Sequence, residues 1–318
     1  MLLGLNDKGN TMNLNLGKTL SVIFLLVSSN AFASAYLNPS KDQSVIGNIQ
    51  YHSVQSGDAL THVAQQYDVG YNAIEQANPQ VNIAKGLSFT TVLKLPTQHL
   101  LPNQPREGII VNLPEMRMYY FVPGTNKVVT YPIGIGKIGK TIPITKAVIT
   151  RKTKDPVWVP PDDIREFNLA QGIVLPQIMP PGPDNPLGPY AIYMSVPTYL
   201  IHSTIFPESV GKRASFGCIR IYESDIKDFF PSITSGIPVA IINSPIKVGW
   251  QHDRLYMEAH KTLEEHNGAF ESTLPGTVRL IGNLTQNQDT LIDWQAVSFL
   301  ENTRDGLPHE IGIKIPQS

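Results

Sequence analysis

Hydrophobic and polar positions follow two different periods along the chain. Between residues 51 and 96 a short alternating stretch and a Ser56-Gly57 turn precede apolar positions at helical spacing, with Asp58 as the expected N-cap. A second helix is predicted over residues 71–77, ending at Asn78-Pro79, and TVLKLP alternates again. The predicted order of this first unit is strand, helix, helix, strand.

A strand-rich pattern begins at Ile109. The stretch GIIVNLPEMRMYYFVPGTNKVVTYPIGIG predicts three strands joined by turns, and YAIYMSVPTYLIH predicts one apolar strand that ends at His202. Helical periodicity returns at YESDIKDFF, over residues 222–230. A mainly β domain is therefore expected after the first unit.

The two units suggest a division of the chain into five parts. Residues 1–35 are interpreted as a signal peptide, 50–97 as the first domain, 98–107 as a Pro-rich polar linker, 108–245 as the mainly β domain and 246–318 as a C-terminal extension. In the extension TVRLIGNL is strand-like, and DTLIDWQAVSFLENTRDG predicts a helix capped by Asp289 and stopped at Gly306. The pattern assigns no role to this extension.

Export is predicted from the N-terminal residues. Lys18 precedes an apolar run over residues 20–27, and small residues follow at Ala31, Ala33 and Ala35. The run is well short of the ~20 residues that a spanning helix needs. We expect translation from Met12, or from Met1, cleavage after Ala33 or Ala35, and a periplasmic, wall-associated chain with no transmembrane segment.

Charge excludes one broad class of partner. The formal net charge is −1, and both signs are scattered along the 318 residues. A basic footprint for nucleic acid is absent from this pattern, and so is an acidic tail.

The stretch GIGKIGKT, Gly134 to Thr141, matches the spacing of a phosphate-binding loop. That motif works because a following helix aims its N-terminal amides at the phosphate. Here the β-branched stretch Ile142-Pro143-Ile144-Thr145 follows, broken by proline, and AVIT after it predicts a strand in place of a helix. We therefore expect turns beside a cleft and no bound nucleotide.

Cys218 is the sole cysteine of the chain, so it cannot form an intramolecular disulfide. It is an inert core thiol, an intermolecular link or a nucleophile. His202 is the one histidine in the same domain, and an imidazolium or a helix N-terminus would lower the thiol pKa. Amides around Gly217 and Cys218 can bind an oxyanion, and the Ser203 carbonyl can orient the base. One Cys and one His are too few for a structural zinc site, so no metal or cofactor is expected.

The first unit resembles the lysin motif, a small βααβ module that binds glycans containing N-acetylglucosamine. The resemblance rests on VQSGD at residues 54–58, on Ala64 and Tyr67, on Asn78-Pro79 and on the ending LKLP. Ala59 stands where the family usually has Thr. The resemblance implies binding to peptidoglycan, with a spacer that no longer binds sugar as the alternative.

The second domain resembles the L,D-transpeptidases. The stretch IHSTIFPESVGKRASFGCIRIYESDIKDFF, followed by GIPVAII, matches their His-Gly/Ser-Thr and Ser-His-Gly-Cys-hydrophobic-Arg signature, and PIGIGK and PGPDNPLGPYAIYM support the likeness. The resemblance implies a β-sandwich-like catalytic domain. Phe216 departs from the pattern, since it occupies the position of the motif's second histidine.

The resemblance also implies residue roles. Cys218 would be the nucleophile, His202 the base, Ser203 the residue whose carbonyl holds that base, and Gly217 the turn glycine. Expected substrate-binding residues are Arg220, Ser215, Phe216 and Tyr190.

The implied reaction is a two-step acyl transfer. Cys218 would attack the bond between the third residue of a tetrapeptide stem and its terminal D-alanine, forming a thioester that an amine resolves. That amine would belong to another stem or to an outer-membrane lipoprotein. Two alternatives remain at this stage: a cysteine hydrolase of the same stems, and a wall-binding protein with a decayed centre.

Overall fold

The computed structural model describes residues 34–37, 40 and 43–316. Most of the predicted signal peptide lies outside these residues. Among the described residues, no helix has both the length and the apolar character needed to cross a bilayer.

The first domain has the predicted order of elements. It is preceded by β1 (Ser34–Leu37) and β2 (Val45–Gly47), and it consists of β3 (Gln50–Ser53), α1 (Leu60–Gln66), α2 (Tyr71–Ala77), a 3₁₀ helix (Ile83–Lys85) and β4 (Val92–Leu95). Strands β3 and β4 pair antiparallel. The helices bury Val63 and Ile74 against Leu93 and Leu95. Apolar residues recur at helical spacing in α1 and α2 and alternate in β4, so each element presents one apolar face to this core.

Asp58 does not cap α1 as predicted. The N-cap is Ala59, which has no side chain that can accept a hydrogen bond. The Asp58 carboxylate instead accepts hydrogen bonds from the amide of Gln55, at 2.7 Å, and from Nε2 of His52, at 2.8 Å. A local turn and a neighbouring imidazole therefore compete successfully for this carboxylate.

The predicted linker over residues 98–107 begins as a strand. Strand β5 (Gln98–Leu100) pairs antiparallel with β2, and both Leu100 and Leu101 are buried. The Pro-rich composition suggested a free connection, but the apolar pair in the sequence HLLP packs into the protein.

The second domain, called the catalytic domain after the resemblance described above, is built mainly from strands. Its elements are β6 (Gly108–Asn112), β7 (Arg117–Phe121), β8 (Lys127–Pro132), β9 (Ile135–Gly136), β10 (Thr145–Lys154), α3 (Asp162–Leu169), β11 (Tyr190–Met194), β12 (Leu200–His202), β13 (Arg213–Ser215), β14 (Ile219–Arg220), α4 (Glu223–Phe229) and β15 (Pro238–Ile242). The predicted strand over residues 190–202 is two strands, because the chain turns between Met194 and Leu200.

Nine strands form one sheet in the order β1-β8-β7-β6-β15-β10-β11-β12-β14. Strand β6 lies parallel to β15 and β12 lies parallel to β14, whereas the other neighbours are antiparallel. Strands from β6 to β14 contribute to one apolar core together with Ile226 and Phe229 of α4, so the sheet curls around that core. The predicted fold class, a mainly β, sandwich-like catalytic domain beside a βααβ module, is confirmed.

Residues 246–316 form a further layer with its own core. The elements are β16 (Ile246–Gln251), β17 (Arg254–Ala259), α5 (Leu274–Thr285), β18 (Thr290–Ile292), α6 (Trp294–Thr303) and β19 (Pro308–Lys314). The sheet order is β16-β17-β19-β18, and Ile281 of α5 and Val297 of α6 pack into its core.

Two expectations for this extension were wrong. TVRLIGNL lies within α5, because Thr273 caps the helix and Pro275 stands in its first turn, where proline is tolerated. Asp293, not Asp289, caps α6 by accepting hydrogen bonds from the amides of Gln295 and Ala296. Helix α6 ends at Thr303, and its C-cap is Arg304 in left-handed conformation, two residues before Gly306.

Buried charges join the extension to the catalytic domain. Nζ of Lys247 in β16 lies 2.9 Å from the Glu115 carboxylate and 2.8 Å from that of Glu258, and all three side chains are almost fully buried. The ammonium also donates to the carbonyl of Leu100. Because an unpaired buried charge is costly, these contacts tie the extension, the catalytic domain and β5 together.

The first domain lies directly against the catalytic domain. The amides of Tyr71 and Asn72 donate to the carbonyls of Val210 and Gly211, and Gly70 approaches Gly211 so closely that a Cβ on Gly211 would lie 2.4 Å from Cα of Gly70. The module is therefore packed on the catalytic domain by backbone contact, which a flexible tether would not provide.

Candidate active site

Strand pairing brings His202 and Cys218 to one place. His202 ends β12, which pairs with β14 in parallel so that His202 stands opposite Arg220. Cys218 directly precedes β14. His202 and Cys218 therefore lie on neighbouring strands, with Cys218 two residues before the partner of His202.

Both side chains line a cleft of about 890 Å³. Arg220, Ser215 and Phe216 line it as well, and helix α3 covers part of it. Of the eight site residues predicted from sequence, five thus share one cleft.

His202 is held in a defined orientation. The residue is 4% exposed, and Nδ1 lies 2.5 Å from the carbonyl oxygen of Ser203. Because a carbonyl only accepts hydrogen bonds, Nδ1 carries the proton and Nε2 is the basic nitrogen. Burial, followed by the charge of Arg220, lowers the pKa of His202 to about 4. The imidazole is therefore neutral at neutral pH.

The thiol differs from the sequence expectation. Burial raises the pKa of Cys218, although a backbone hydrogen bond at Leu200 and the charge of Arg220 oppose that shift. Sγ lies 3.7 Å from the carbonyl oxygen of Thr198. The helix that follows, α4, begins only at Glu223 and so does not point its N-terminus at the thiol. The ground state is therefore a neutral thiol and a neutral imidazole that line the same cleft, with the thiol hydrogen-bonded to the Thr198 carbonyl.

Ser203 and Tyr190 form the support behind the histidine. Oγ of Ser203 donates to the Leu187 carbonyl at 2.9 Å and accepts from the Tyr190 amide at 3.0 Å. The Tyr190 ring packs on Phe230, with centroids 5.0 Å apart. Tyr190 lies outside the lining of the cleft, and its ring packs against the core. Its expected contact with substrate stays a prediction.

The turn before Cys218 is fixed by Ser215. Its Oγ donates to the carbonyl of Cys218 at 2.6 Å and accepts from the amide of Gly217 at 3.1 Å. The Gly217 amide is thus already engaged and does not face an oxyanion as expected. The amide of Cys218 makes no hydrogen bond with any residue of the described chain, so it is the amide suited to that role.

Gly217 is required by its conformation. Its φ is +117°, and a Cβ there would lie 2.6 Å from Cε1 of Tyr199 and 3.0 Å from the carbonyl oxygen of Lys140. A side chain would therefore displace the turn that presents Cys218.

Arg220 supplies positive charge to the cleft. Nε is buried and has no hydrogen-bond partner among the described residues, and the guanidinium lies 5.7 Å from the ring centroid of Phe206. An unsatisfied buried donor is costly unless a ligand satisfies it. The group is suited to an anionic part of a substrate.

Phe216 contacts a cluster that the sequence did not predict. Its ring meets that of Phe167 on α3, with centroids 5.0 Å apart, and Nζ of Lys137 lies 3.6 Å from both centroids. Lys140 forms an ion pair with Asp163 of α3 at 2.6 Å. A signal was present in PPDDIREFNL, where two prolines precede a segment that begins with two acidic residues, as at many helix starts.

The stretch GIGKIGKT forms part of the cleft rim. Residues 137–144 lie outside any helix, and strand β10 contains the predicted strand AVIT. Lys140 and Thr141 line the cleft. The glycines therefore serve turns and close packing, since a Cβ on Gly136 would lie 2.1 Å from the carbonyl oxygen of Lys140.

One group of described residues has the donor atoms for a metal ion: His99, Glu115 and Glu258. Lys247 already binds both of these carboxylates. Its ammonium supplies the positive charge that the carboxylates require, so the group is a structural ion-pair cluster away from the cleft.

Comparison with known proteins agrees with this site. The L,D-transpeptidase catalytic domain matches residues 106–241, and the LysM domain matches residues 52–96. "Probable L,D-transpeptidase YcfS" of Escherichia coli is 36% identical over 88% of this chain and 89% of its own length. "Probable L,D-transpeptidase YbiS" of the same organism is 36% identical over 93% of this chain and 99% of its own length. The chain belongs to the L,D-transpeptidase family and carries a LysM domain.

Solved structures of the family are more distant. The NMR structure of the catalytic domain from an Enterococcus faecium L,D-transpeptidase is 23% identical, with a TM-score of 0.33, over 44% of this chain and 99% of that one.

Proposed function

We propose that this L,D-transpeptidase acts on peptidoglycan stems with Cys218 as nucleophile and His202 as base. The observation that carries the proposal is the shared cleft, in which the family's Cys and His positions meet beside Arg220. The proposed domains are 50–97 for wall binding and 108–245 for catalysis, with 246–318 as a further layer.

The first half-reaction forms a thioester. As Sγ of Cys218 attacks the carbonyl carbon of the third stem residue, Nε2 of His202 takes the thiol proton. The amide of Cys218 donates to the developing oxyanion. The carbon–nitrogen bond then breaks, the proton passes from His202 to the leaving amine, and D-alanine departs.

The second half-reaction transfers the acyl group. A neutral acceptor amine attacks the thioester carbonyl and loses a proton to His202. The carbon–sulfur bond breaks, and Cys218 recovers that proton as a thiol. An amide forms between the third residue of the donor stem and the acceptor, which we propose is either another stem or a lysine of an outer-membrane lipoprotein.

Both reacting groups are neutral before attack. Burial lowers the pKa of His202 to about 4 and raises the pKa of Cys218, so proton transfer from Sγ to Nε2 is unfavourable by itself and must accompany the attack on the carbonyl carbon. Arg220 is suited to binding the carboxylate of the terminal D-alanine. Ser215, Gly217 and Ser203 hold the reacting residues in position.

We also propose export to the periplasm after cleavage at Ala33. Strand β1 pairs with β8 from Ser34 to Leu37. Cleavage after Ala33 would leave that strand whole, whereas cleavage after Ala35 would remove two of its residues. N-terminal sequencing of the exported protein tests this, and a terminus at Met1 or Met12 would contradict it.

Product analysis tests the proposed reaction. Purified protein incubated with tetrapeptide muropeptides should consume the donor, release D-alanine and yield dimers joined through third residues. Offering an excess of a lysine-bearing lipoprotein peptide distinguishes the two acceptors. Free tripeptide alone, under every acceptor offered, would indicate a hydrolase; no turnover at all would indicate a wall-binding protein.

A further inference from the structure

The C-terminal extension reaches the catalytic cleft through its 3₁₀ helix Glu264–His266. The Glu265 carboxylate accepts two hydrogen bonds from the guanidinium of Arg213, at 2.7 and 2.8 Å, and a third from the hydroxyl of Thr141. Glu264 also binds Arg213. Two oxygens of one carboxylate thus hold both nitrogens of the guanidinium, a geometry that fixes orientation as well as distance.

Arg213 connects this contact to the strands under the thiol. It lies two residues before Ser215 in β13, which pairs with β9. Nε of Arg213 donates to the carbonyl of Gly136 at 3.2 Å, and Nη2 donates to Oγ1 of Thr141 at 2.9 Å. The same side chain therefore joins both ends of the rim loop, residues 137–141.

The rim loop touches the turn that carries the nucleophile. The amide of Lys137 donates to the carbonyl of Ser215 at 2.9 Å. The carbonyl of Lys140 lies against Gly217, where a Cβ would be only 3.0 Å from it. Thr141 itself lines the cleft. A shift of the loop would change the cleft wall next to Cys218.

The contact is charged and largely shielded. The Arg213 side chain is 12% exposed and that of Glu265 is 26% exposed. Burial alone raises the pKa of Glu265, but hydrogen bonds from Arg213 and Thr141 outweigh it and hold that pKa at about 2. Glu265 is therefore ionised at any pH at which the protein would act.

We propose that Glu265 is a positioning residue for acyl transfer: by fixing Arg213 and Thr141 it sets the position of the rim loop beside Cys218. This inference rests on the proposed function. It gives the extension a role, since residues outside the catalytic domain would then determine how a stem peptide is oriented for attack. Small misplacements of a reacting group are costly to the rate.

The role can be separated from simple folding. A small alkylating reagent needs only access to the Cys218 thiol, whereas a stem peptide must also fit the cleft wall. We therefore expect Glu265→Gln to lower the rate of acyl-enzyme formation at saturating donor by roughly tenfold, while iodoacetamide alkylation stays within about twofold. Thr141→Val should cause part of the same loss, and the double variant should lose less than the two effects combined.

The experiment measures both rates, with the melting temperature, in the full-length exported protein. Glu310→Gln is the matched control, because it removes another Arg–Glu pair of the extension, with Arg254, that has no contact with the cleft. It should behave as wild type in all three measurements.

Two outcomes would overturn the inference alone. Glu265→Gln could acylate as fast as wild type, or its acylation and alkylation could fall in parallel with its melting temperature, which would mark a purely structural contact. A wild-type protein that alkylates but never forms an acyl-enzyme would instead contradict the proposed function, and this inference with it.

Discussion

The imidazole of His202 donates from Nδ1 to the carbonyl oxygen of the next residue, Ser203. Ser203 is held in turn by its Oγ, which donates to the Leu187 carbonyl. Nε2 is thereby left as the base of a neutral pair with Cys218, and the predictions below depend on that neutrality.

Alkylation of Cys218 should follow the titration of a neutral thiol. Burial raises the pKa of Cys218. At about pH 6, iodoacetamide should therefore react more slowly with Cys218 than with a free cysteine derivative, and the rate for Cys218 should rise through the alkaline range. Rates measured across pH, with N-acetylcysteine as reference, check this. A fast acidic plateau that disappears in His202→Ala would instead identify a thiolate–imidazolium pair.

Stability should fall on acidification through the titration of His202. Its pKa is 6.5 in the ordinary case and about 4 when folded, so the unfolded chain binds the proton more readily between these values. The His202 contribution is complete above about pH 6.5 and lost as pH falls through about 4, a change of at most about 3 kcal/mol. Denaturant unfolding of wild type and His202→Gln across this window measures it; equal pH slopes would contradict it.

Phe216→Ala should weaken productive binding of the donor stem. The ring joins Phe167 of α3 to Lys137 of the cleft rim, and its loss removes a cation–π contact of about 1 kcal/mol as well as packing. We expect the half-saturating muropeptide concentration to rise by about fivefold. Phe216→Tyr is the control, since it keeps the ring. If Phe216→Ala left the half-saturating muropeptide concentration unchanged, donor binding would not depend on this contact with α3.

Sequence reasoning predicted the proposed Cys218–His202 pair but not its electrostatics. The signature around Cys218 and the position of His202 at a strand end were sufficient to bring both to one cleft. The pKa of Cys218 depends on its burial and on backbone contacts at Thr198 and Leu200, which pattern alone does not bring near the thiol. The same holds for Glu265, whose partners Arg213 and Thr141 lie 52 and 124 residues away in sequence.

In places tertiary packing also overrode local secondary-structure propensity. Residues 277–284 contain β-branched and apolar side chains that favour a strand, yet Ile281 packs into the core of the extension as part of α5. The contact between the first domain and the catalytic domain could not be predicted either, because nothing in the sequence around Gly70 and Gly211 indicates that their backbones meet.

Gly211→Ala should loosen the first domain from the catalytic domain. Gly211 has φ +77°, and its Cβ would lie 2.3 Å from the amide nitrogen of Tyr71. Hydrogen–deuterium exchange should therefore increase around residues 70–72 and 210–212. Gly124→Ala is the matched control, because Gly124 has φ +70° but nothing within 4 Å. Equal protection in the two variants would indicate that the domains do not depend on this contact.

The most direct test of the account is the intact mass of the protein after incubation with a purified tetrapeptide muropeptide and no acceptor amine. Wild type should gain the mass of the donor less D-alanine, on the peptide that contains Cys218. Cys218→Ala should gain nothing, and His202→Ala should acylate far more slowly. An adduct that persists in Cys218→Ala, or its absence from a folded wild type that alkylates at Cys218, would contradict the central claim.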